Sequence, residues 1–393
     1  MVLLLLCSLI LSTVPYSKVL LNLEEDCSTV KRTFTGIDIG QSGIRIAEIA
    51  RRKDKFILNE LISTDYEEEY IREGQIIEPE KLTKLLRNLL DSNNISRKYV
   101  VSNIFPECVL VKRVQIPQMP YEEIRNALKY LSANELPFDA EEMNMDYAVV
   151  GEMEEDGVLS LDVAIFITKK DVLLSVISML KDVGIKGPMI IDIEYLALLY
   201  TADIKLSGRE NNILVRIGKY STDVCLIKGN NMMLARNMPY SGEEMTHRVI
   251  EKLGRDEKDC RELITKCSTF RDISGNGEQE DEVIEIILDY LREFTTEFFK
   301  VLSYFEMQLN EREVVFNNII MAGRGGYFKF IPSFLTNLDL FEDYGSPKIR
   351  YWQLRRRLFS VDPKLRMFLK EGIDSLRFST AISLAYRGAT EEW

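Results

Sequence analysis

The chain reads Phe34-Thr-Gly-Ile-Asp-Ile-Gly-Gln-Ser-Gly-Ile-Arg-Ile-Ala-Glu-Ile49, and a matching stretch follows at Asn212-Ile-Leu-Val-Arg-Ile-Gly-Lys-Tyr-Ser-Thr-Asp-Val-Cys-Leu-Ile227. Each stretch has an apolar strand with Ile-Gly at its end, a few small or polar residues, and a second strand, which is the pattern of a β-hairpin. A further strand-like run follows each copy, at Phe56–Ile62 and Met232–Met238. Two such units half a chain apart predict two lobes of similar design.

Helices and further strands fill the intervals, so the predicted class is α/β. Apolar residues at helical spacing predict helices at Glu78–Asn93, Tyr121–Asn134, Lys170–Gly184 and Glu282–Leu309. Strands are predicted at Tyr99–Phe105, Val109–Ile116, Asp146–Val150, Leu159–Ile167, Met189–Ile193 and Val314–Met321.

Composition narrows the functional classes. The 393 residues exceed the size at which one hydrophobic core usually stops growing, so two lobes are expected on length alone. The net charge of -12 would repel a phosphate backbone, and we expect no nucleic-acid partner. Six cysteines without a C-x-x-C pair give no zinc or disulfide pattern, and the single histidine, His247, is expected on a helix surface rather than in a hydrolase triad.

The N-terminal extension, residues 1–30, has three interpretations. Val2–Val14 is an apolar run of signal-peptide length, but no basic residue precedes it and it is short for a membrane span. A cleaved signal, a membrane anchor and a wrongly assigned start all remain open. The last is favoured, because the sequence after Lys31 indicates no need for export.

Two glycine-rich turns are candidates for binding phosphate and adenosine. Gly40-Gln41-Ser42-Gly43 would let backbone N–H groups approach a phosphate, and Asp38 is placed to hold a hydrated Mg²⁺. A plain hairpin turn would explain the same residues. Ile319-Ile-Met-Ala-Gly-Arg-Gly-Gly326 could pack against an adenosine, or simply connect a strand to a helix.

The order of five motifs resembles the actin/FtsA superfamily, and within it the PilM family of type IV pilus assembly proteins. The motifs correspond to phosphate 1, connect 1, phosphate 2, adenosine and connect 2: Gly36-Ile-Asp-Ile-Gly-Gln-Ser-Gly, Asp192-Ile-Glu-Tyr-Leu-Ala, Ile217-Gly-Lys-Tyr-Ser-Thr-Asp, Ala322-Gly-Arg-Gly-Gly and Phe378-Ser-Thr-Ala-Ile-Ser-Leu-Ala. The PilM likeness also rests on Val111-Lys-Arg-Val-Gln-Ile-Pro-Gln-Met-Pro-Tyr, Glu135-Leu-Pro-Phe, Asn144-Met-Asp-Tyr and Ser383-Leu-Ala-Tyr-Arg-Gly388. It covers Thr33–Gly388.

The resemblance implies an actin-like (RNase H-like) two-lobed fold with a small extra subdomain inserted in lobe one. Lobe one would comprise residues 31–106 and 187–206, the subdomain 107–186, and lobe two 207–388 with a helix returning to lobe one. The implied protein is cytoplasmic, lies at the inner face of the cytoplasmic membrane, binds ATP and Mg²⁺, and docks the N-terminal tail of a PilN-like membrane protein. Other pilus assembly proteins are further expected partners.

The resemblance also assigns site residues. Those implied for the nucleotide are Asp38, Gly40, Gln41, Ser42, Gly43, Arg45, Arg216, Gly218, Lys219, Tyr220, Ser221, Thr222, Ser241, Gly242, Glu243, Gly323, Arg324, Gly325 and Gly326, with Asp38 holding Mg²⁺ through water. The partner tail is expected on an apolar rim made of Pro120, Tyr121, Leu136, Pro137 and Phe138, unless these residues close the core of the subdomain.

Departures from the family pattern lead to a specific expectation about catalysis. Arg216 stands where the family has aspartate, Arg324 where it has glycine, and Arg45 where it often has lysine. We therefore expect ATP to be bound but hydrolysed slowly or not at all, because a guanidinium can pair with phosphate but cannot ligate Mg²⁺. Glu194 has two possible roles: it could position the attacking water, or it could cap the helix that starts near Tyr195. Alternatively, the nucleotide has been abandoned and Arg216 pairs with Asp38.

Other functions stay open on the sequence alone. A sugar kinase would need an acidic base that we do not find, and an FtsA-type division protein would need an amphipathic C-terminal helix. The cytoplasmic part of a type II secretion protein is the nearer alternative. The stretch 348–387 holds ten basic residues against three acidic ones, which indicates either a face towards anionic lipid or a solvated surface.

Overall fold

The computed structural model describes most of the chain after the N-terminal extension, in two units. It describes residues 32–53, 55–133, 139–155, 157–202, 210–229, 231–267, 278–309, 314–323, 330–336, 339–365, 376–391 and 393. Unit 1 holds the described residues up to 202, those at 231–234 and those from 353 onward, and unit 2 holds 210–229 and 235–352. The extension 1–30, with its three interpretations, lies outside the described residues.

The elements alternate between strands and helices along the chain. The strands are β1 Arg32–Gly40, β2 Gly43–Arg52, β3 Lys55–Asp65, β4 Ile71–Arg72, β5 Gln75–Ile76, β6 Val100–Ile104, β7 Leu110–Pro117, β8 Met143–Glu155, β9 Val158–Lys169, β10 Met189–Ile193, β11 Asn211–Ile217, β12 Thr222–Lys228, β13 Asn231–Met238, β14 Phe316–Ala322, β15 Lys348–Tyr351 and β16 Phe359–Val361. The helices are α1 Pro79–Ser92, α2 Tyr121–Ala133, α3 Lys170–Asp182, α4 Glu194–Thr201, α5 Gly242–Leu253, α6 Glu257–Cys267, α7 Glu278–Leu309, α8 Phe330–Thr336 and α9 Ser379–Thr390.

A six-stranded sheet forms the centre of unit 1, in the order β10-β6-β1-β2-β3-β16. The strands β1, β2 and β3 pair antiparallel, whereas β6 runs parallel to β1 and β10 runs parallel to β6. The middle of β1 and β2 is buried without alternation, because both faces of these strands are covered. The hairpin register sets Asp38 opposite Arg45 and Gly40 opposite Gly43, so the polar turn lies at one end of the sheet.

Helix α9 lies against β1 and β6 of this sheet. Every residue from Ser379 to Ala389 is buried. A Cβ on Gly36 of β1 would lie 2.1 Å from the carbonyl oxygen of Ala381, so the helix backbone touches the strand where the strand has no side chain. Val101, Ile190, Ala197 and Leu384 form the apolar cluster that holds α9 in place.

A smaller three-stranded sheet, in the order β7-β9-β8, follows β6 in the chain. Helix α2 packs on it through Ile124 and Leu128, which are buried with Met145, Val163 and Ile165. The strand β8 is longer than the predicted Asp146–Val150, because its pairing with β9 continues as far as Glu155 opposite Val158. This sheet and helix fall within the predicted subdomain 107–186; that boundary and those of the lobes stay predictions.

Unit 2 repeats the hairpin-plus-strand pattern in a five-stranded sheet, in the order β13-β12-β11-β14-β15. The strands β11 and β12 pair antiparallel, and β14 and β15 continue the sheet in parallel. The long helix α7 contributes Phe294, Phe298 and Phe305 to the core, each almost fully buried. The sequence repeat therefore corresponds to a repeat of structure.

Most predicted elements are present with small shifts at their ends. The helix predicted at Tyr121–Asn134 is described as far as Ala133, and α7 begins at Glu278 rather than at Glu282. In the part of the chain that is described, no helix combines the length and the apolar character needed to cross a bilayer.

Candidate functional site

The turn of the first hairpin is held by side chains from neighbouring strands. On β6, the buried Asn103 amide accepts a hydrogen bond from the Ile39 N–H at 2.8 Å and donates one to the Ile39 carbonyl at 3.3 Å. Asp38 is buried next to this point, with 8% of its surface exposed. The side chain of Gln41 donates to the carboxylate of Glu107. A buried carboxylate is thus fixed beside a glycine turn, as the predicted phosphate motif requires.

Arg45 and Gly43 attach this hairpin to the third strand. The guanidinium of Arg45 is buried, donates to the Thr64 carbonyl at 2.7 Å and forms an ion pair with Asp65. A Cβ on Gly43 would lie 2.2 Å from the same Thr64 carbonyl oxygen. Close packing therefore explains this glycine and this arginine, and their predicted contact with phosphate stays a prediction.

The second hairpin carries the same pair of charges in reversed positions. Arg216 lies opposite Asp223 in the register, as Asp38 lies opposite Arg45 in the first hairpin. The Arg216 Nε donates to Asp223 Oδ2 at 2.8 Å, and the Asn237 amide donates to Asp223 Oδ1 at 2.9 Å. Both charged side chains are buried. Position 216 is not acidic, but the neighbouring strand carries an acidic residue, Asp223, directly opposite it.

The loop that follows β11 is supported by the N-terminus of α5. The N–H groups of Gly242 and Glu243 donate to the carbonyls of Gly218 and Lys219, at 3.4 Å and 3.1 Å. Two further bonds are closed around this loop: Ser241 Oγ accepts from the Glu244 N–H at 3.1 Å, and Thr222 Oγ1 donates to the Tyr240 carbonyl at 2.5 Å.

These bonds define what the predicted site residues around α5 do in the structure. The N–H groups of Gly242 and Glu243 donate to the loop, and the Ser241 hydroxyl accepts from the helix backbone. In the structure these three residues therefore support the loop and cap the helix. Within the loop, the Gly218 N–H donates to Ser221 O at 2.8 Å, and the Lys219 ammonium lies 4.7 Å from the ring centre of Tyr220. A direct contact of any of them with a nucleotide stays a prediction.

The predicted adenosine turn is described only at its start. Gly323 has φ +83°, and a Cβ there would lie 2.4 Å from the Ile217 carbonyl oxygen, so both its conformation and its packing require glycine. Arg324, Gly325 and Gly326 lie outside the described residues.

Glu194 does not cap the helix that it belongs to. Helix α4 begins at Glu194 itself, and Ile193 occupies the cap position without a side-chain hydrogen bond. The Thr380 hydroxyl on α9 donates to Glu194 Oε1 at 3.1 Å. The capping alternative was therefore wrong, since the helix starts one residue earlier than predicted. The water-positioning role stays a prediction.

The predicted partner rim is described at two of its five residues. Pro120 is exposed, and Tyr121 is 59% exposed at the start of α2, where its ring lies 5.8 Å from that of Tyr147. These two residues therefore do not close the subdomain core. Leu136, Pro137 and Phe138 lie outside the described residues.

The basic stretch 348–387 is partly neutralised within unit 1. Lys364 pairs with Glu60, Arg377 pairs with Asp65 at 3.4 Å, and the buried Arg387 pairs with Asp192 at 3.6 Å and with Glu391. These three cations are committed to carboxylates of the same unit. The face towards anionic lipid stays a prediction.

The described residues also bear on the expectations for metal sites, the histidine and the cysteines. They include no cluster of three or more histidine, cysteine, aspartate or glutamate side chains that could hold a metal ion. As predicted, His247 is on a helix surface, with its side chain 64% exposed on α5. Cys108, Cys225 and Cys260 are free thiols, and burial raises the pKa of Cys108 to about 12.

Comparison with solved structures identifies the fold. The chain resembles the PilM-PilN type IV pilus biogenesis complex with a TM-score of 0.75 at 22% identity, covering 91% of this chain and 99% of that one. The ethanolamine utilization protein EutJ from Carboxydothermus hydrogenoformans gives 0.50 at 10% identity, over 91% and 90% of the two chains. MreB5 of Spiroplasma citri, solved bound to AMPPNP, gives 0.49 at 12% identity, over 90% and 96%. The predicted actin-like, two-lobed α/β fold is confirmed.

Comparison of sequences identifies the family. No curated protein sequence matches this chain. The family model described as type IV pilus assembly protein PilM matches residues 36–323, a range that begins in the first hairpin and ends at Gly323. The match covers well over half of the chain, and the chain belongs to the PilM family of type IV pilus assembly proteins.

Proposed function

We propose that this chain binds ATP with Mg²⁺ and docks the N-terminal tail of a PilN-like membrane protein, as a component of type IV pilus assembly at the inner face of the cytoplasmic membrane. The observation that carries the proposal is the family match across both hairpins, together with a buried carboxylate held at the turn of the first one. Other pilus assembly proteins are further expected partners.

The residues of the first hairpin fit a nucleotide phosphate with its metal. Asp38 supplies the oxygen ligand that Mg²⁺ prefers, directly or through water. A Cβ on Gly40 would make only an ordinary contact, 3.4 Å from the Gly43 carbonyl oxygen, in contrast to a Cβ on Gly43. Bound Mg²⁺ would neutralise charge on the phosphates, while Asp38 and the turn at 40–43 would orient them.

Slow hydrolysis is the second part of the proposal. Asp223 faces a guanidinium at 2.8 Å in the second hairpin, so its negative charge is already matched before any metal arrives. A carboxylate in such a buried pair attracts a cation less strongly than a free one. We infer that the second motif supports phosphate binding more than activation of water.

Calorimetry with Mg·ATP tests the nucleotide proposal. The wild-type protein should bind Mg·ATP, and Asp38→Ala should weaken binding at least about tenfold, because a charge-assisted contact is lost. Glu251→Ala, at an exposed position on α5, serves as the control and should bind normally. Absence of binding to the wild-type protein would refute this part.

Peptide binding tests the partner proposal independently of nucleotide. A synthetic peptide with the N-terminal sequence of a PilN-like protein from the same organism should bind, and Tyr121→Ala should weaken it about tenfold, since exposed tyrosines are frequent interface anchors. Tyr130→Ala is the matched control, because Tyr130 is 76% exposed and lies on the same helix outside the predicted rim. Equal losses in both variants would contradict docking at Tyr121.

A further inference from the structure

The hydroxyl group of Tyr66 is buried and has no hydrogen-bond partner among the described residues. An unsatisfied buried hydroxyl costs about 1–3 kcal/mol, and each such group in a native protein calls for an explanation, such as a catalytic role or a bound water or ion. The ring is half-buried, so the tyrosine is not simply part of the apolar core. The hydroxyl is therefore a donor for which the described residues provide no acceptor.

Tyr66 is anchored at the turn of the first phosphate motif. It follows β3 directly, and its N–H donates to the Ser42 carbonyl at 3.1 Å. Its ring packs on Tyr70 with the ring centres 4.8 Å apart, which restricts the direction of the hydroxyl. Backbone and ring thus both fix Tyr66 beside residues 40–43.

The hydroxyl lies within electrostatic reach of Asp38. Burial first, and then the negative charge of Asp38, raise the pKa of Tyr66 above its usual value, and Arg45 opposes this only in part. The hydroxyl consequently keeps its proton at physiological pH. It can act as a hydrogen-bond donor but not as an anion.

We propose that the Tyr66 hydroxyl donates a hydrogen bond to a phosphate oxygen of the Mg·ATP held at Asp38 and the Gly40–Gly43 turn. The inference rests on the proposed nucleotide binding and adds a positioning residue to it. Phosphate oxygens are anionic acceptors, so they match a protonated donor fixed at this turn. The family motifs do not single out this residue, since it lies outside the hairpin sequence.

Tyr66→Phe tests the proposal because it removes the oxygen and keeps the ring. Without ligand, the variant should unfold at the same temperature as the wild-type protein or at a higher one, since an unsatisfied buried group has been deleted. Its affinity for Mg·ATP, measured by calorimetry, should fall about tenfold, which is typical of a lost hydrogen bond to a charged group. Adenosine, which has no phosphate, should bind both proteins equally.

Tyr70→Phe is the matched control, since it makes the same chemical change in the stacked partner and should leave Mg·ATP affinity unchanged. The proposal is overturned if Tyr66→Phe binds Mg·ATP like the wild-type protein, which would mean that an ordered water satisfies the hydroxyl. It is also overturned if the variant is less stable without ligand or loses adenosine to the same extent. If the wild-type protein binds no Mg·ATP, nucleotide binding fails as well, so the two failures are distinguishable.

Discussion

At the residue scale, Arg216 replaces the aspartate of the family pattern, but it pairs with an aspartate on the next strand, Asp223. The sequence places arginine where the family pattern has an acid, yet the paired position on the next strand holds an acid of its own. The first hairpin has the opposite arrangement, with Asp38 and Arg45. Each hairpin therefore keeps one carboxylate and one guanidinium, and they differ in which strand carries each.

Arg216→Asp should turn the second hairpin into a cation site. Two buried carboxylates would then face each other, so the variant without metal should lose on the order of 3–5 kcal/mol of unfolding free energy and recover part of it in Mg²⁺. Its ATP turnover should exceed that of the wild-type protein, measured by phosphate release. Arg216→Lys, which keeps the charge, is the control and should stay slow. Equal turnover in Arg216→Asp and the wild-type protein would contradict the role of Arg216 in restraining hydrolysis.

Asp192 should make stability depend on pH. Burial raises its pKa to about 6, against the opposing effect of Arg387. Between about pH 4 and pH 6 the folded state holds a proton that the unfolded state has released, so this group's contribution to stability falls as pH rises through that window. Asparagine does not titrate. The unfolding free energy of Asp192→Asn relative to the wild-type protein should therefore increase by about 3 kcal/mol between pH 4 and pH 7.5.

Urea unfolding at a series of pH values measures this difference for Asp192. Arg387, Glu391 and Asp146 are the charged groups that act on it, and Arg387 keeps its ion pair with Glu391 in the variant. A difference that does not change between pH 4 and pH 7.5 would show that Asp192 is ionised throughout.

At the element scale, the contact between β1 and α9 depends on one glycine. Gly36→Ala would place a methyl group 2.1 Å from the Ala381 carbonyl and 2.4 Å from the Ala385 nitrogen, both of them backbone atoms. The variant should lose about 3 kcal/mol or more of unfolding free energy, because neither backbone can retreat without moving the helix. Thermal unfolding by circular dichroism measures this loss.

Gly40→Ala is the matched control on the same strand. Its Cβ would meet only an ordinary contact at 3.4 Å, so stability should change by less than about 1 kcal/mol. The same methyl group would occupy the space in front of the phosphate turn and should weaken Mg·ATP binding. Similar stability losses in the two variants would contradict the packing argument.

At the scale of the whole molecule, unit 1 is assembled from distant parts of the chain. Five strands of its main sheet come from residues 32–193, whereas the sixth strand, β16, and helix α9 come from beyond residue 353. Ala381, Ile382, Leu384 and Ala385 of α9 are all fully buried. Unit 1 therefore needs the C-terminal segment before its core can close.

Removing residues 376–393 should abolish the cooperative unfolding of unit 1. The lost burial is comparable to the whole stability of a domain, about 5–15 kcal/mol, so the near-ultraviolet circular dichroism signal and the amide protection of β1 should disappear. Trp393→Ala, which removes a ring packed on Phe34 and Tyr99 and its hydrogen bond to the Gly388 carbonyl, should cost about 1–3 kcal/mol and keep the fold. Retained protection in the truncated chain would refute the dependence on α9.

The sequence by itself determined the hairpin repeat, the α/β class and the family. These features depend on local patterns, such as apolar runs that end at Gly40 and Gly218. Such patterns predict strands and turns without knowledge of distant contacts. The ends of β8 and α4 were less well predicted. The length of β8 depends on its pairing with β9, and the first residue of α4 depends on where β10 ends.

Only the tertiary structure decided which side chains meet. The pairing of Arg216 with Asp223, the anchoring of Arg45 by Thr64 and Asp65, and the position of Tyr66 beside Asp38 all join residues on different strands. These contacts depend on strand order and register, and the spacing of residues in a single sequence shows neither. For the same reason, only the structure shows that the N–H groups of Gly242 and Glu243 donate to the carbonyls of Gly218 and Lys219, while their contact with a nucleotide stays a prediction.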